Sequence, residues 1–131
     1  MKYVKAELQE LVGKTLTRVS VAKSSERNSD TVSFFCKDGT IYRLYHPLDW
    51  GEIVTVEDVC GELEDLIGSP ILMAEAVSNH NNPKPGDVGD YFAWTFYKFA
   101  TIKGYVTIRW YGSTDGAYRY SIEVDFVRVE A

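Results

Sequence analysis

Three groupings of side chains in this 131-residue sequence could do chemistry. His46 and Asp49 stand three apart, with Cys60 further on, and a Cys–His pair can generate a nucleophile if the fold brings the two together. Glu57, Asp58, Glu62, Glu64 and Asp65 form an acidic cluster. None of them has a His or Cys partner at metal-ligand spacing, so solvation is their simplest role. Lys98 and Arg109 lie in a region that alternates like a β-meander. No Gly-rich phosphate loop, HExxH, GxSxG or Walker pattern occurs. His80 sits in a polar stretch with no candidate partner. The reading is therefore non-catalytic, with no metal and no cofactor.

Lys98 and Arg109 carry the sharpest signal. A two-residue turn at Lys103-Gly104 places residue i opposite residue 207 − i, using the numbering of the sequence. Tyr97 then meets Trp110, Phe99 meets Ile108 and Thr101 meets Val106 on a core face. On the opposite face Lys98 falls across from Arg109, and a third strand brings Arg119 or Ser121 alongside. Like charges facing each other across a ladder are destabilising, and this chain carries a net charge of −5. Three things could answer such a row: Glu123 or the acidic cluster, an acidic partner subunit, or a small anionic ligand. Tyr105, Thr107 and Tyr111 share the face, and cations beside rings suit a phosphate joined to a stacked base. The candidate ligand-binding residues are Lys98, Arg109, Arg119, Tyr105, Tyr111, Arg43 and Trp50.

The elements that must position these residues can be read from periodicity. Val4, Leu8, Leu11 and Val12 have helical spacing closed by Gly13, which predicts a short N-terminal helix. Leu16 to Ala22 reads as a strand, followed by a polar loop over 23–30. Val32–Cys36 and Ile41–Tyr45 flank Asp38-Gly39 and predict a hairpin with a two-residue type I′ turn. Val56, Val59, Cys60, Leu63, Leu66 and Ile67 then fall on one helical stripe, with Thr55 as cap and Gly68-Ser69-Pro70 as stop. The acidic cluster occupies the other face. Ile71 to Ser78 is a strand, and Asn79 to Asp90 a polar loop, either a lid or a connector.

Tyr91 to Val129 reads as three antiparallel strands. Phe92, Trp94 and Phe96 have the opposite parity from Tyr97 and Phe99, which predicts a β-bulge near Phe96-Tyr97. The loop over 112–117 is expected to be longer than two residues, with Gly116 left-handed. The fold class expected is α+β and mostly antiparallel β: a meander/hairpin sheet with one central amphipathic helix over about 56–67 and a short N-terminal helix. No repeat and no composition shift divides residues 1–131, so one domain with a flexible loop at 79–90 is expected.

Composition limits the function classes. A net charge of −5 argues against general nucleic-acid binding, which depends on a basic surface. No apolar run approaches the roughly 18 residues that span a bilayer, and the first residues lack the apolar core of a signal peptide. Cys36 and Cys60 are far apart, and both are expected to be reduced, buried thiols.

Several segments carry a resemblance. Tyr45-His46 with Asp49, the run from Val56 to Leu72, and the run from Trp94 to Gly112 together resemble a family of small tailed-phage proteins of uncharacterised function. A Cys-Cys pair commonly follows the Asp of the His-x-x-Asp segment in that family. Here Trp50-Gly51 stands there instead, which puts a thiol or metal role at that spot in doubt. The resemblance implies phage origin and a place in the cytoplasm of the bacterial host. Small phage accessory proteins often antagonise host defence, and one strategy is a compact homo-oligomer that acts as a sponge for an immune signal. Joined to the cationic aromatic face, this gives the leading expectation: a protein that binds and sequesters an anionic nucleotide-derived messenger without turnover. Two alternatives stand beside it. One is an inhibitor that docks its acidic helix face on a host enzyme, the other a virion or assembly component.

Overall fold

Apolar side chains alternating with a period of two dominate the chain, and the backbone follows them into strands. The computed structural model describes residues 2–23, 30–47, 53–80, 84–86, 91–114 and 122–130. Along it run β1 (Lys2–Lys5), β2 (Leu16–Ala22), β3 (Thr31–Cys36), β4 (Ile41–Tyr45) and β5 (Ile53–Cys60). They are followed by β6 (Met73–Asn79), β7 (Tyr91–Thr101), β8 (Gly104–Thr114) and β9 (Asp125–Glu130). The strands form two antiparallel sheets, a five-stranded one in the order β1-β9-β4-β3-β2 and a four-stranded one in the order β5-β8-β7-β6.

The two inner faces close on each other. Val32, Phe34, Tyr42 and Leu44 of the first sheet are buried with Val54, Val56, Phe99, Val106, Ile108 and Trp110 of the second. The Phe34 and Phe99 rings meet across the interface at 5.2 Å between centroids. Burying these alternating rows is what holds the layers together, at roughly 1.5–3 kcal/mol for each large side chain taken from water.

The expected α+β class is corrected: among the described residues there is no α-helix, only two single 3-10 turns at Leu8–Leu11 and Leu63–Leu66. The segment expected to form a helix over 56–67 divides into β5 and the second 3-10 turn. Its helical spacing has a specific origin. Val54 and Val56 alternate as strand residues, the register then slips at Glu57, and the pairing resumes with Asp58 opposite Arg109 and Val59 opposite Ile108. A β-bulge turns a spacing of two into a spacing of three. The 3-10 turn then repeats at three, with Leu63 and Leu66 packing inward. Strand, bulge and 3-10 turn together imitate a 3.6-residue period.

Gly61 makes the break between them. Its φ is +100°, and a Cβ there would lie 2.5 Å from the Tyr105 carbonyl oxygen. The expected N-terminal helix is likewise replaced. Lys2–Lys5 pairs with β9, and Leu8–Leu11 makes a 3-10 turn that buries Leu11.

Other expectations hold or shift. β2 spans Leu16–Ala22 as expected. The β3–β4 hairpin forms, but its turn is not type I′. Cys36 N–H donates to the Thr40 carbonyl and Gly39 N–H to the Cys36 carbonyl, and Gly39 alone there has a positive φ, +92°. β6 covers most of the strand expected at 71–78. Of the loop over 79–90, only 79–80 and 84–86 are described.

β7 and β8 pair without a register shift, so the bulge expected near Phe96-Tyr97 is absent. Their turn is Ile102-Lys103, with Thr101 opposite Gly104. That is one residue earlier than expected, so each residue faces a partner two places removed from the one expected. The third strand of the expected meander crosses to the other sheet, where β9 pairs with β1 and β4. The loop residues 115–121, Gly116 among them, lie outside the described residues.

Candidate functional site

The outer face of the four-stranded sheet is built in rows set by the register. Thr55 of β5 stands beside Tyr111, which stands beside Trp94, then Asn79. The next row runs Asp58, Arg109, Phe96, Val77, and the one after it Cys60, Thr107, Lys98, Glu75. Phe92, Trp94 and Phe96 belong to this face because β7 is apolar on both sides.

The observed register separates the pair on which the sequence reading turned. Lys98 lies opposite Thr107 and Arg109 opposite Phe96, so the two cations are diagonal neighbours, about 7–8 Å apart at Cα in such a geometry. Each also has an acid beside it. Glu75 is the register partner of Lys98. Arg109 Nη2 donates to Asp58 Oδ2 at 2.7 Å. The bulge at Glu57 is what brings Asp58 into line with Arg109. The charge of Arg109 is thus met from within the molecule by the β5 carboxylate of Asp58, while Lys98 has Glu75 across the ladder as its register partner.

The guanidinium of Arg109 also lies 4.9 Å from the Trp94 ring centroid, and Trp94 contacts Tyr111 at 4.5 Å between centroids. The sequence of contacts Asp58, Arg109, Trp94, Tyr111 fixes the Tyr111 ring from behind. Arg109 Nε is buried and meets no acceptor among the described residues.

In front of Tyr111 is a cavity of about 360 Å³, lined by Ile53, Thr55, Lys84, Pro85, Gly86, Tyr111 and Ser113. Lys84 holds its rim in two ways. Its backbone N–H donates to the Tyr111 hydroxyl at 3.0 Å, and its ammonium pairs with Glu57. Thr55 Oγ1 donates to the other Glu57 oxygen at 2.9 Å. Partial burial pushes the Glu57 carboxyl up, but the bonds from Lys84 and Thr55 outweigh it and hold the group below its usual value. The site therefore offers one aromatic wall, an apolar floor at Ile53 and Pro85, hydroxyls at Thr55 and Ser113, and one exchangeable cation.

The remaining expected site residues are dispersed. Tyr105 is 76% exposed but stands six residues from Tyr111 along β8, about 20 Å at the usual strand rise. Arg43 belongs to the other sheet. There its Nε donates to Ser33 Oγ at 3.0 Å and its Nη1 to the Tyr3 hydroxyl at 2.7 Å. It faces away from the four-stranded sheet and cannot share a small ligand with Arg109. Arg119 and Trp50 lie outside the described residues, as does Asp49.

His46 is buried, with Nδ1 2.7 Å from the Glu123 carbonyl oxygen. Cys60, expected in the core, is exposed, whereas Cys36 is buried and its thiol is pushed up to about 11 by desolvation. The Cys60–His46 nucleophile has no support in this arrangement. Among the described residues no group of three or more His, Cys, Asp or Glu could hold a metal ion. No helix there is long and apolar enough to cross a membrane. The acidic helix face is absent too, since Glu57 and Asp58 sit in the bulge and Glu64 and Asp65 in the 3-10 turn.

Ile53, Thr55, Lys84, Asp58 and Trp94 were not singled out from the sequence as site residues. Trp94 left a signal, its parity with Phe92 and Phe96, which the expectation of a bulge explained away. Lys84 stands in a loop whose neighbours alternate with nothing, so no spacing pointed to it.

No curated protein and no solved structure matches the chain. Residues 9–126, nearly its whole length, match the model of a family described as a domain of unknown function, DUF7448, and the chain belongs to that family.

Proposed function

We propose that the protein is a phage accessory protein that binds and sequesters a small, anionic, nucleotide-class signalling molecule without turning it over. The site of this reading is the cavity bounded by Tyr111, Ile53, Thr55, Ser113 and the Lys84–Gly86 turn. The phage and host-defence setting rests on the resemblance of the Val56–Leu72 and Trp94–Gly112 segments. The ligand class rests on the cavity.

The observation that carries the ligand class is the placing of Lys84 and the Tyr111 ring on one cavity of about 360 Å³. That volume falls in the range of small-molecule sites, roughly 300–1,000 Å³. A flat ring gains contact against Tyr111, Ile53 and Pro85, and hydroxyls at Thr55 and Ser113 can meet its polar edge. The Lys84 side chain is 49% exposed and that of Glu57 17%, so the ammonium can turn to solvent while its partner stays largely covered. A phosphate that takes Lys84 leaves Glu57 with the bond from Thr55. Arg109 acts differently from the original expectation. Its charge is met by Asp58, so it braces Trp94 and Tyr111 instead of holding the anion. The inhibitor reading is not carried forward, because it required an acidic helix.

The test is calorimetry and thermal melting with cyclic dinucleotides, cyclic trinucleotides and ADP-ribose derivatives. A true ligand at about 100 times its Kd adds ~2.7 kcal/mol of stability, several degrees in melting temperature. Lys84→Ala should weaken it about tenfold, the loss of one charge-assisted contact. If no nucleotide in the panel raises the melting temperature, or if Lys84→Ala binds as tightly as the parent, the reading fails.

A further inference from the structure

Two antiparallel sheets leave four edge strands, β1, β2, β5 and β6. An edge presents unpaired N–H and C=O groups, and proteins guard such edges with charge, shortness, bulges or a covering segment. Three of the four are guarded. β1 is four residues long and carries Lys2 and Lys5. β2 has a bulge between Leu16 and Arg18, and its start is bridged by Pro70 and Ile67. β5 has the Glu57 bulge, and its free backbone is occupied. Asp30 N–H donates to the Val54 carbonyl at 3.2 Å, Val56 N–H donates to Asp30 Oδ2 at 2.8 Å, and Lys23 Nζ donates to the Val56 carbonyl.

β6 has none of these devices past its first turn. It pairs with β7 in unbroken register from Met73 to Asn79 and contains no Pro, no bulge and one charge, Glu75. Gln9 Nε2 covers the Ala74 carbonyl at 2.9 Å. Beyond it, Glu75, Ala76, Val77 and Ser78 are exposed, and Val77 is 48% so. Among the described residues, no group outside β7 hydrogen-bonds to Ala76, Val77 or Ser78.

We infer that the β6 edge is the site where a second copy of this chain pairs, antiparallel and two-fold, to make one continuous eight-stranded sheet. The sequence of the strand is compatible with itself in this way. Centred on Val77, the pairing sets Val77 against Val77, Ala76 against Ser78 and Glu75 against Asn79. No like charges face each other, which is the condition for a stable ladder. The inward side chains Ala74, Ala76 and Ser78 are small and let the backbones close. On the outer face, Phe96 and Val77 are neighbours in one row, so pairing extends that row as Phe96, Val77, Val77, Phe96 and removes both valines from water. A closed two-fold of this kind uses up both β6 edges and leaves the joined sheet ending in the two guarded β5 strands.

The experiment is sedimentation velocity on the full chain across micromolar concentrations, with circular dichroism to confirm that each variant folds. The parent should sediment at twice the mass of one chain. Val77→Lys places four-carbon cations against each other at the two-fold and should give monomers. Ala76→Pro removes an edge donor and should do the same. Ile102→Lys changes an 83%-exposed side chain on the β7–β8 turn and should remain dimeric. A parent that is monomeric at every concentration overturns the inference, and so does a dimer that survives Val77→Lys. Should Ala76→Pro fail to fold, Val77→Lys decides alone.

Discussion

Glu57 defines how the cavity rim responds to acid. The bonds to Glu57 favour its charged form, so its pKa in the folded protein lies below the usual 4.5. Glu10 is shifted the same way, with bonds from the Glu7 backbone, Tyr42 and Arg128 outweighing its partial burial. A depressed carboxyl stabilises the fold above its unfolded pKa and loses that contribution as pH falls through the folded one. Thermal melts should therefore show stability declining from about pH 5 towards pH 3. Glu57→Gln should flatten part of that slope, and an unchanged slope would remove the assignment.

The two thiols should separate cleanly as well. Cys36 is buried with its pKa near 11, and Cys60 is exposed. At pH 8 a thiol reagent should label one cysteine per folded chain and two after denaturation. Gly61→Ala should destabilise by about 2–4 kcal/mol in denaturant titrations, since its Cβ must displace a backbone carbonyl in a left-handed conformation.

Among the strands, β5 joins the cavity to the core, with Thr55 on one face and Val54 and Val56 on the other. Its edge is tied to the segment before β3 by Asp30, which is 2% exposed and holds the Val56 N–H. Asp30→Ala leaves that donor without its acceptor and takes the carboxylate from Lys23, which keeps only the Val56 carbonyl. It should lower stability by about 2–3 kcal/mol, measured by denaturant unfolding.

β5 also shows where the sequence was legible and where it was not. The β-branched run Ile53-Val54-Thr55-Val56 is strand-like, yet the spacing after it favoured a helix, because a bulge and a 3-10 turn both advance the apolar face by three. Periodicity alone cannot separate those geometries over twelve residues. The faces of β8 and of β7 from Tyr97 on were readable, since parity survives a two-residue error in register, whereas the expected bulge misassigned Phe92, Trp94 and Phe96. The partners were not, because moving the turn from Lys103-Gly104 to Ile102-Lys103 shifts every pairing without changing which residues share a side. Of the site, Tyr111 and Arg109 could be read from alternation. Lys84 and Asp58 could not, as their places depend on a loop and a bulge.

Taken whole, the molecule is two sheets with their inner faces sealed, and its outer surfaces differ in kind. The outer face of the five-stranded sheet has Arg43 tied to Tyr3 and Ser33, and Arg18 over the Phe35 ring. That of the four-stranded sheet carries Phe92, Trp94 and Phe96 together with the cavity at Tyr111 and the unguarded β6 edge. Ligand and second copy would thus use opposite ends of one sheet, β5 at one side and β6 at the other. The two bindings should be independent, so Val77→Lys should leave nucleotide affinity within about twofold, a few tenths of a kcal/mol.

Backbone amide shifts recorded during titration with the nucleotide panel locate the working surface proposed around Tyr111. One ligand should move the resonances of Ile53, Thr55, Lys84, Tyr111 and Ser113 and leave those of β1 and β4 in place. Shifts centred on Arg43 and the five-stranded sheet, or no shift with any nucleotide, would contradict it.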